Sequence, residues 1–189
     1  MNKKLRTILI IVVSFAVLGM CIVSFGLYPI LIVSGSPVYA FEYRDAYDLS
    51  YAYYSYLAQG GQTAEQDKNM QLQLDRAVLE GLVDAHLIEK RLVLDVGARE
   101  LRGEIAAIVD PLWSDSASRE TLRAMTQASD GSIKKYFLEH EARNQILSSR
   151  LQAEGLSLEE WLREARKDAS VIFLFMPDVE WTSEGVVSK

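Results

Sequence analysis

The chain begins with an unusually long apolar run, from Thr7 to Val33, and no charged residue stands between Arg6 and Glu42. A helix needs about 20 apolar residues to cross a bilayer, so residues 7–33 predict a transmembrane anchor. Lys3, Lys4 and Arg6 precede the run, which places the N-terminus in the cytoplasm under the positive-inside rule. We therefore expect a single-pass protein of the cytoplasmic (inner) membrane, with an extracytoplasmic domain after an N-terminus and anchor at 1–33.

Two processing events would remove or replace that anchor. A signal peptidase could cut after Ala40, or lipoprotein processing could use Cys21. The anchor is favoured because the run is far longer than the roughly 7–15 apolar residues of a signal peptide. Met20 is also large for the residue before a lipidated cysteine. Cys21 is the only cysteine, so an intramolecular disulfide is excluded.

The rest of the chain is long enough for one domain and is acidic. All 26 acidic residues follow the apolar run, against 17 of the 20 Lys and Arg, which gives residues 42–189 a formal charge of −9. Such a domain is repelled by anionic lipid surfaces. It also lacks the basic stripe that nucleic-acid binding requires, so we expect no nucleic-acid partner.

The hydrophobic period of this domain is helical almost throughout. A tyrosine-rich helix is expected to end at Gly60-Gly61, and a long helix, opened by a capping box of Thr63 and Gln66, to stop near Gly97. Capping and breaking residues predict the limits of four further helices. The first ends at Asp110-Pro111, and the second is capped by Ser116 or Ser118. The third runs from Ser132 to Gly155 with Ile133, Phe137, Ile146 and Leu151 inward, and the fourth is opened by Ser157 and Glu160.

One late segment has a different pattern. Ser170 to Met176 is short, β-branched and aromatic, and Pro177 stops it, so it predicts a buried strand. Its backbone needs a partner, and Ser36–Phe41 is the best candidate. The predicted fold class is mainly α: a transmembrane helix, then a helical domain at 34–176 closed by a two-stranded pairing of its ends, then a tail at 177–189 without periodicity.

The sequence has no pattern typical of an active site. His86 and His140 each lie alone in a helical pattern, and no metal-binding, phosphate-binding or activated-serine motif is present. We therefore predict no catalysis, no metal and no cofactor.

Three segments together resemble the SurA/PpiD-type chaperone domain. The opening LIVSGSPVYAFEYRDAY matches through Val33, Gly35, Val38, Glu42, Tyr43 and Tyr47, with Ser34 in place of the usual Asn. The long helix matches through Leu79, Leu82, Val83, Leu87, Ile88 and Gly97. The closing helix and strand match through Gly155, Leu156, Ser157, Trp161, Leu162 and Arg163. The likeness covers most of residues 33–176.

This resemblance implies a helical cradle that binds unfolded or partly folded envelope proteins. Relatives usually carry a parvulin-type prolyl isomerase domain that opens with His-Ile-Leu, but the corresponding stretch after Ser170 has no histidine. Isomerase activity is therefore not implied. The anchor is similar to that of the membrane-tethered branch of the family.

Six of the nine tyrosines lie between Glu42 and Gln62. Tyr43, Tyr47, Tyr51 and Tyr54 share the helix face that we expect to pack mostly on the long helix. Tyrosines of this segment, with two flexible methionines, are also the candidate client-binding residues, and Tyr53 and Tyr56, which point away from that face, are the better candidates. The candidates are Tyr47, Tyr51, Tyr53, Tyr54, Tyr56, Met70 and Met125.

Three functions remain open from the sequence. The first is a membrane-anchored holdase for unfolded, nascent, secreted or envelope proteins, with the bilayer as a second partner through residues 7–33. The second is an adaptor that docks one fixed envelope or secretion partner. The third is a divergent prolyl isomerase-type foldase.

Overall fold

The protein is mainly helical, as its sequence pattern predicts, and it has two small antiparallel sheets where the sequence predicted one two-stranded pairing. A computed structural model describes residues 3–57, 64–126, 128–175, 179–182 and 185–188. Its helices are α1 Lys3–Ser24, α2 Ala40–Leu57, α3 Ala64–Val96, α4 Ala98–Ser114, α5 Ser116–Thr126, α6 Asp130–Ser132, a π-helical segment Ile133–Leu138, α7 Glu139–Ala153 and α8 Leu158–Asp168. Its strands are β1 Pro29–Val33, β2 Ser36–Tyr39, β3 Val171–Phe173, β4 Val179–Thr182 and β5 Gly185–Ser188.

The N-terminal apolar run is divided between a helix and a strand. The helix ends at Ser24, and Gly26, with φ of +65°, turns the chain into β1. A side chain at Gly26 would meet the backbone nitrogen of Phe41 at 2.8 Å, so this turn requires glycine. None of the helices in the described part of the chain has the length and apolar character needed to cross a membrane, so the structure does not support the transmembrane helix predicted over residues 7–33.

The first sheet has the strand order β2-β1-β3, with β1 antiparallel to both neighbours. The predicted pairing of the 170–176 segment with the 36–41 segment is therefore wrong, because β1 lies between them. β1 and β2 are joined by Ser34-Gly35, both with positive φ, as in a two-residue hairpin turn. The segment predicted as a buried strand is an edge strand of only three residues, with Ile172 52% exposed.

Two predicted helix limits differ from the structure. Pro111 lies inside α4, which continues to Ser114, because a proline this close to the end of a helix disturbs only the last turn. α5 is capped by Asp115, whose carboxylate accepts hydrogen bonds from both the backbone nitrogen and the hydroxyl of Ser118. The stop of α3 before Gly97 is confirmed. The predicted stop at Gly60-Gly61 and the Thr63–Gln66 capping box fall outside the described residues.

The long helical stretch before Gly155 begins earlier than predicted and contains a wide turn. Ser129, not Ser132, is its cap. The hydrogen bonds of the π-helical segment span five residues, which widens its turn, so Leu138 instead of Phe137 follows Ile133 on the buried face. Phe137 is 41% exposed, which corrects its predicted inward position. The end at Gly155, with positive φ, is confirmed. The capping box of Ser157 and Glu160 is also confirmed.

The C-terminal segment, expected to lack structure, contains the hairpin β4–β5. The side chain of Val186 is buried, and its backbone nitrogen donates to Glu80 of α3 at 2.9 Å. The indole nitrogen of Trp181 donates to the carbonyl of Arg166 at 3.2 Å. The hairpin therefore packs on α3 and α8.

The buried residues form two clusters along α3. The first lies between the sheet, residues 74–87 of α3 and the hairpin, and includes the fully buried Leu31, Val38 and Val83. The second lies between the C-terminal half of α3, α4 and α7, and includes Leu92 and Leu147. Partly buried Trp161 packs against both clusters.

Candidate functional site

An open cleft lies between α2, α3 and the helical stretch that contains the π-helical segment. Its volume is about 320 Å³, within the range of ligand-binding pockets. The floor is one face of α3, formed by apolar and small residues at helical spacing: Leu74, Ala77, Val78, Gly81, Leu82 and Ala85. Three of these six, Ala77, Gly81 and Ala85, have a methyl group or no side chain, so the floor leaves room in the cleft for other side chains.

Two walls rise from this floor. One wall is the face of α2 that carries Glu42, Ala46, Ser50 and Tyr54, each four residues from the next. The other wall carries Lys135 and Tyr136 of the π-helical segment with His140 and Arg143 of α7. π-helical turns are rare in proteins and occur frequently at functional sites. Both walls combine apolar atoms with hydroxyl and charged groups, and the second wall adds the imidazole of His140.

Lys135 connects the two walls. Its ammonium group lies 3.1 Å from the carboxylate of Glu42 and 3.1 Å from the hydroxyl of Tyr136. It also lies 5.2 Å from the centre of the Phe41 ring, within range of a cation–π contact. Burial would lower the pKa of Lys135, but its hydrogen bonds to Tyr136 and Glu42 outweigh that effect and raise the pKa. The lysine is therefore charged across the physiological range.

A second ion pair connects α7 to the floor helix. Arg143 donates to Glu139 at 3.3 Å within α7, and its Nε lies 3.9 Å from the carboxylate of Glu89 on α3. Between the two ion pairs, burial lowers the pKa of His140, and Arg143 lowers it further. His140 is therefore neutral at pH 7 and can both donate and accept a hydrogen bond.

The sequence-predicted client-binding residues do not converge on this cleft. Tyr54 alone among them lines it, and Met70 and Met125 are half-buried elsewhere on α3 and α5. Tyr47 packs against the first cluster, and its ring is stacked on that of Tyr51 at 6.2 Å.

The remaining tyrosines divide between the core and the surface. Tyr43, expected on the packed face, donates its hydroxyl proton to Asp75 of α3 at 2.6 Å. Tyr51, Tyr54 and Tyr56 are exposed, whereas Tyr53 is half-buried with its ring against that of Tyr54. The binding role of the candidate residues stays a prediction.

Sequence reasoning missed most of the cleft. Lys135, Arg143 and the two histidines that line it occur far apart in the chain, and no motif connects them. One usable signal was the four-residue spacing of Ala77, Gly81 and Ala85. These small residues form one face of a helix whose other positions carry mostly larger side chains. Within the part of the chain that the structure describes, no three His, Cys, Asp or Glu side chains group as metal ligands.

Comparison with known proteins gives one match. Residues 3–152 match the family model of the SurA-like N-terminal domain, so α8 and strands β3–β5 lie beyond the matched range. No curated protein and no solved structure matches the chain. Because the match covers more than half of the sequence, the chain belongs to the family of SurA-like N-terminal domains.

Proposed function

We propose that the chain is a holdase, a chaperone that binds one apolar segment of an unfolded or partly folded envelope or secreted protein in the cleft. Membership of the family indicates a chaperone-like or adaptor role in general. The observation that carries the finer proposal is the cleft itself, which has an apolar floor, polar walls and an open mouth. The proposal includes no catalytic step and no cofactor.

The dimensions of the cleft suit an extended peptide. From Leu74 to Glu89 the floor helix rises roughly 22 Å at 1.5 Å per residue. That length accommodates about six residues of extended chain. Ser50, Tyr54 and His140 offer groups that can bond to a peptide backbone whatever its side chains are. The low floor then accepts apolar side chains of different sizes, as a protein with many clients requires.

We also propose that the protein works at the cytoplasmic membrane with its domain outside the cytoplasm. The basic residues before the apolar run support this placement under the positive-inside rule. Its clients would be nascent or unfolded chains that emerge across that membrane, and a contact with the secretion machinery would fit the same position.

The proposal can be tested by filling the cleft. Gly81→Leu places a large side chain on the floor, and Gly103→Leu is the matched control on the exposed face of α4, where a new Cβ likewise meets no other described residue within 4 Å. The full chain, in a mild detergent, should slow aggregation of a chemically unfolded envelope protein at a near-equimolar ratio. We expect Gly103→Leu to retain this protection and Gly81→Leu to lose most of it. Equal protection by the two variants would place client binding outside the cleft.

Two further outcomes would favour the other functions. Absence of protection, together with recovery of a single stoichiometric partner, would favour an adaptor. Acceleration of a proline-limited refolding reaction would favour a divergent foldase, since uncatalysed proline isomerisation takes tens of seconds or more.

A further inference from the structure

A group of exposed apolar side chains surrounds the junction between α1 and the first sheet. We call it the apolar collar; it consists of Phe25, Leu27, Ile172, Leu174 and Phe175. Two segments that are distant in the sequence meet here, because the backbone nitrogen of Leu174 donates to the carbonyl of Ile30 at 2.8 Å. The ring of Phe175 lies edge-on to that of Tyr28, with 5.7 Å between their centres.

The collar continues across the outward face of the sheet. Ile32 of β1 is in register with Pro37 of β2 and with Ile172 of β3, so these three residues form one row on the same face. Their neighbours Leu31 and Val33 point to the opposite face and are buried against α3. The solvent-facing side of an antiparallel sheet is normally polar, whereas this row is apolar.

The character of α1 identifies what covers this surface. Exposed apolar residues occur at consecutive positions of α1, and consecutive residues of a helix point about 100° apart, so they lie on all its sides. They are Ile11, Val12, Val13, Phe15, Val17, Leu18, Met20, Ile22 and Val23. A protein groove or a second copy would cover one stripe of such a helix, but a lipid phase surrounds all of it.

Charge and continuity support the same occupant. The sequence carries Lys3, Lys4 and Arg6 just before the apolar residues, and positive charge next to a membrane segment is attracted to anionic lipid. The collar begins at Phe25, directly after the last residue of α1, so an environment that surrounds the helix reaches the collar as well.

We propose that the apolar collar and the outward sheet face lie in the interfacial layer of a lipid membrane, next to a lipid-embedded α1. Phe25 and Phe175 are then apolar contacts at the boundary between headgroups and acyl chains. The cleft stays clear of lipid, because the sheet face in contact with the membrane is turned away from α3, which forms the cleft floor. This inference rests on the proposed membrane location and is independent of the holdase activity.

The test uses environment-sensitive NBD labels on the full chain. In a Cys21→Ser background, a single label is placed through Ile172→Cys or Phe175→Cys, with Leu94→Cys on α3 as the matched exposed control. In vesicles of phosphatidylcholine and phosphatidylglycerol, NBD emission at positions 172 and 175 should rise several-fold and be quenched by nitroxide lipids. Emission at position 94 should match that in buffer. Circular dichroism checks that each variant is folded. We expect folding because the side chains of Ile172, Phe175 and Leu94 are exposed.

Three results would overturn the inference. A label on native Cys21 that reports lipid while positions 172 and 175 report water would show a collar held clear of the membrane. NBD emission typical of water at positions 21, 172 and 175 would show that neither α1 nor the collar contacts lipid. Emission at 172 and 175 that rises with protein concentration without vesicles would identify a second copy as the occupant. None of these results would affect protection in the aggregation assay, so failure of this inference is distinguishable from failure of the proposed function.

Discussion

At the scale of single residues, Arg166 is the main polar link between α8 and α3. Its guanidinium forms two hydrogen bonds with the carboxylate of Asp84, one of them 2.8 Å from Nε to Oδ1, and both side chains are largely shielded from water. Arg166→Ala leaves that carboxylate without its partner, so we expect a loss of about 1–3 kcal/mol in the free energy of unfolding. Urea denaturation measures it.

The matched control for this prediction is Arg163→Ala, because Arg163 is on the same helix but highly exposed. We expect its effect to lie within about 0.5 kcal/mol of zero. Equal losses for the two variants would show that the Arg166–Asp84 pair does not fix α8.

His140 gives the fold a dependence on pH. Burial, followed by Arg143, lowers its pKa in the folded protein, whereas Glu141 and Asp84 act weakly in the opposite direction. The unfolded chain therefore binds a proton on this residue more readily than the folded one. The resulting stability is fully present above the ordinary histidine pKa of about 6.5 and is lost as the pH falls through the lower folded-state value.

We therefore expect the free energy of unfolding to fall less in His140→Gln than in the parent chain when the pH is lowered from 7 to 5.5. Urea midpoints at the two pH values measure the difference. An identical drop in both proteins would contradict the assigned role of His140.

At the level of single residues, the sequence predicted part of the packing of the tyrosine-rich helix. The spacing of Tyr43 and Tyr47 placed them correctly against the long helix, since periodicity identifies a helix face. Tyr51 and Tyr54 continue that face but are exposed, because periodicity does not show how far along a helix the neighbouring packing extends.

At the scale of elements, Gly81 is a helix-interior glycine on the cleft floor. Apart from its own helical neighbours, no atom of the described residues lies within 4 Å of a Cβ built at Gly81 or at Gly103, so alanine fits at both positions. Gly81→Ala and Gly103→Ala should each stabilise the protein by about 0.5–1 kcal/mol, because alanine favours the helix. Thermal and urea unfolding test this. A destabilised Gly81→Ala chain would mean that the floor of the cleft is closed.

The C-terminal hairpin is also an integral part of the fold. Val186 is buried in the first cluster, so Val186→Ala should lower the free energy of unfolding by roughly 0.5–3 kcal/mol. Val187, its half-buried neighbour on the opposite face, is the control and should show a smaller loss. Similar small losses at both positions would indicate that the hairpin does not pack on α3.

The sequence predicted the helices and several of their ends, because these depend on residues close together in the chain. It did not predict the pairing of the strands. The Ser157–Glu160 capping box and Gly155 were readable because they act within four residues. β1 was hidden because its residues continue an apolar run, and a buried central strand has no alternation to distinguish it from a helix. The hairpin was missed because two four-residue strands are too short for a clear period.

At the scale of the whole molecule, the cleft depends on elements far apart in the sequence. Its floor is part of α3, which is also the helix shared by the two buried clusters. Its walls are held across the opening by the Glu42–Lys135 pair, which connects residues 93 positions apart. Periodicity within single helices contains no information about such distant pairs, so the family resemblance anticipated a helical cradle but not its position.

The central claim is that client chains lie in the cleft and not on the outer tyrosines of α2. A photo-crosslinking amino acid at Ser50, which lines the cleft, can be compared in living cells with one at Tyr56, which is exposed on the same helix. We predict crosslinks to many different envelope or secreted proteins from position 50 and few from position 56. Crosslinks from position 56 alone, or one stoichiometric partner from position 50, would contradict this account.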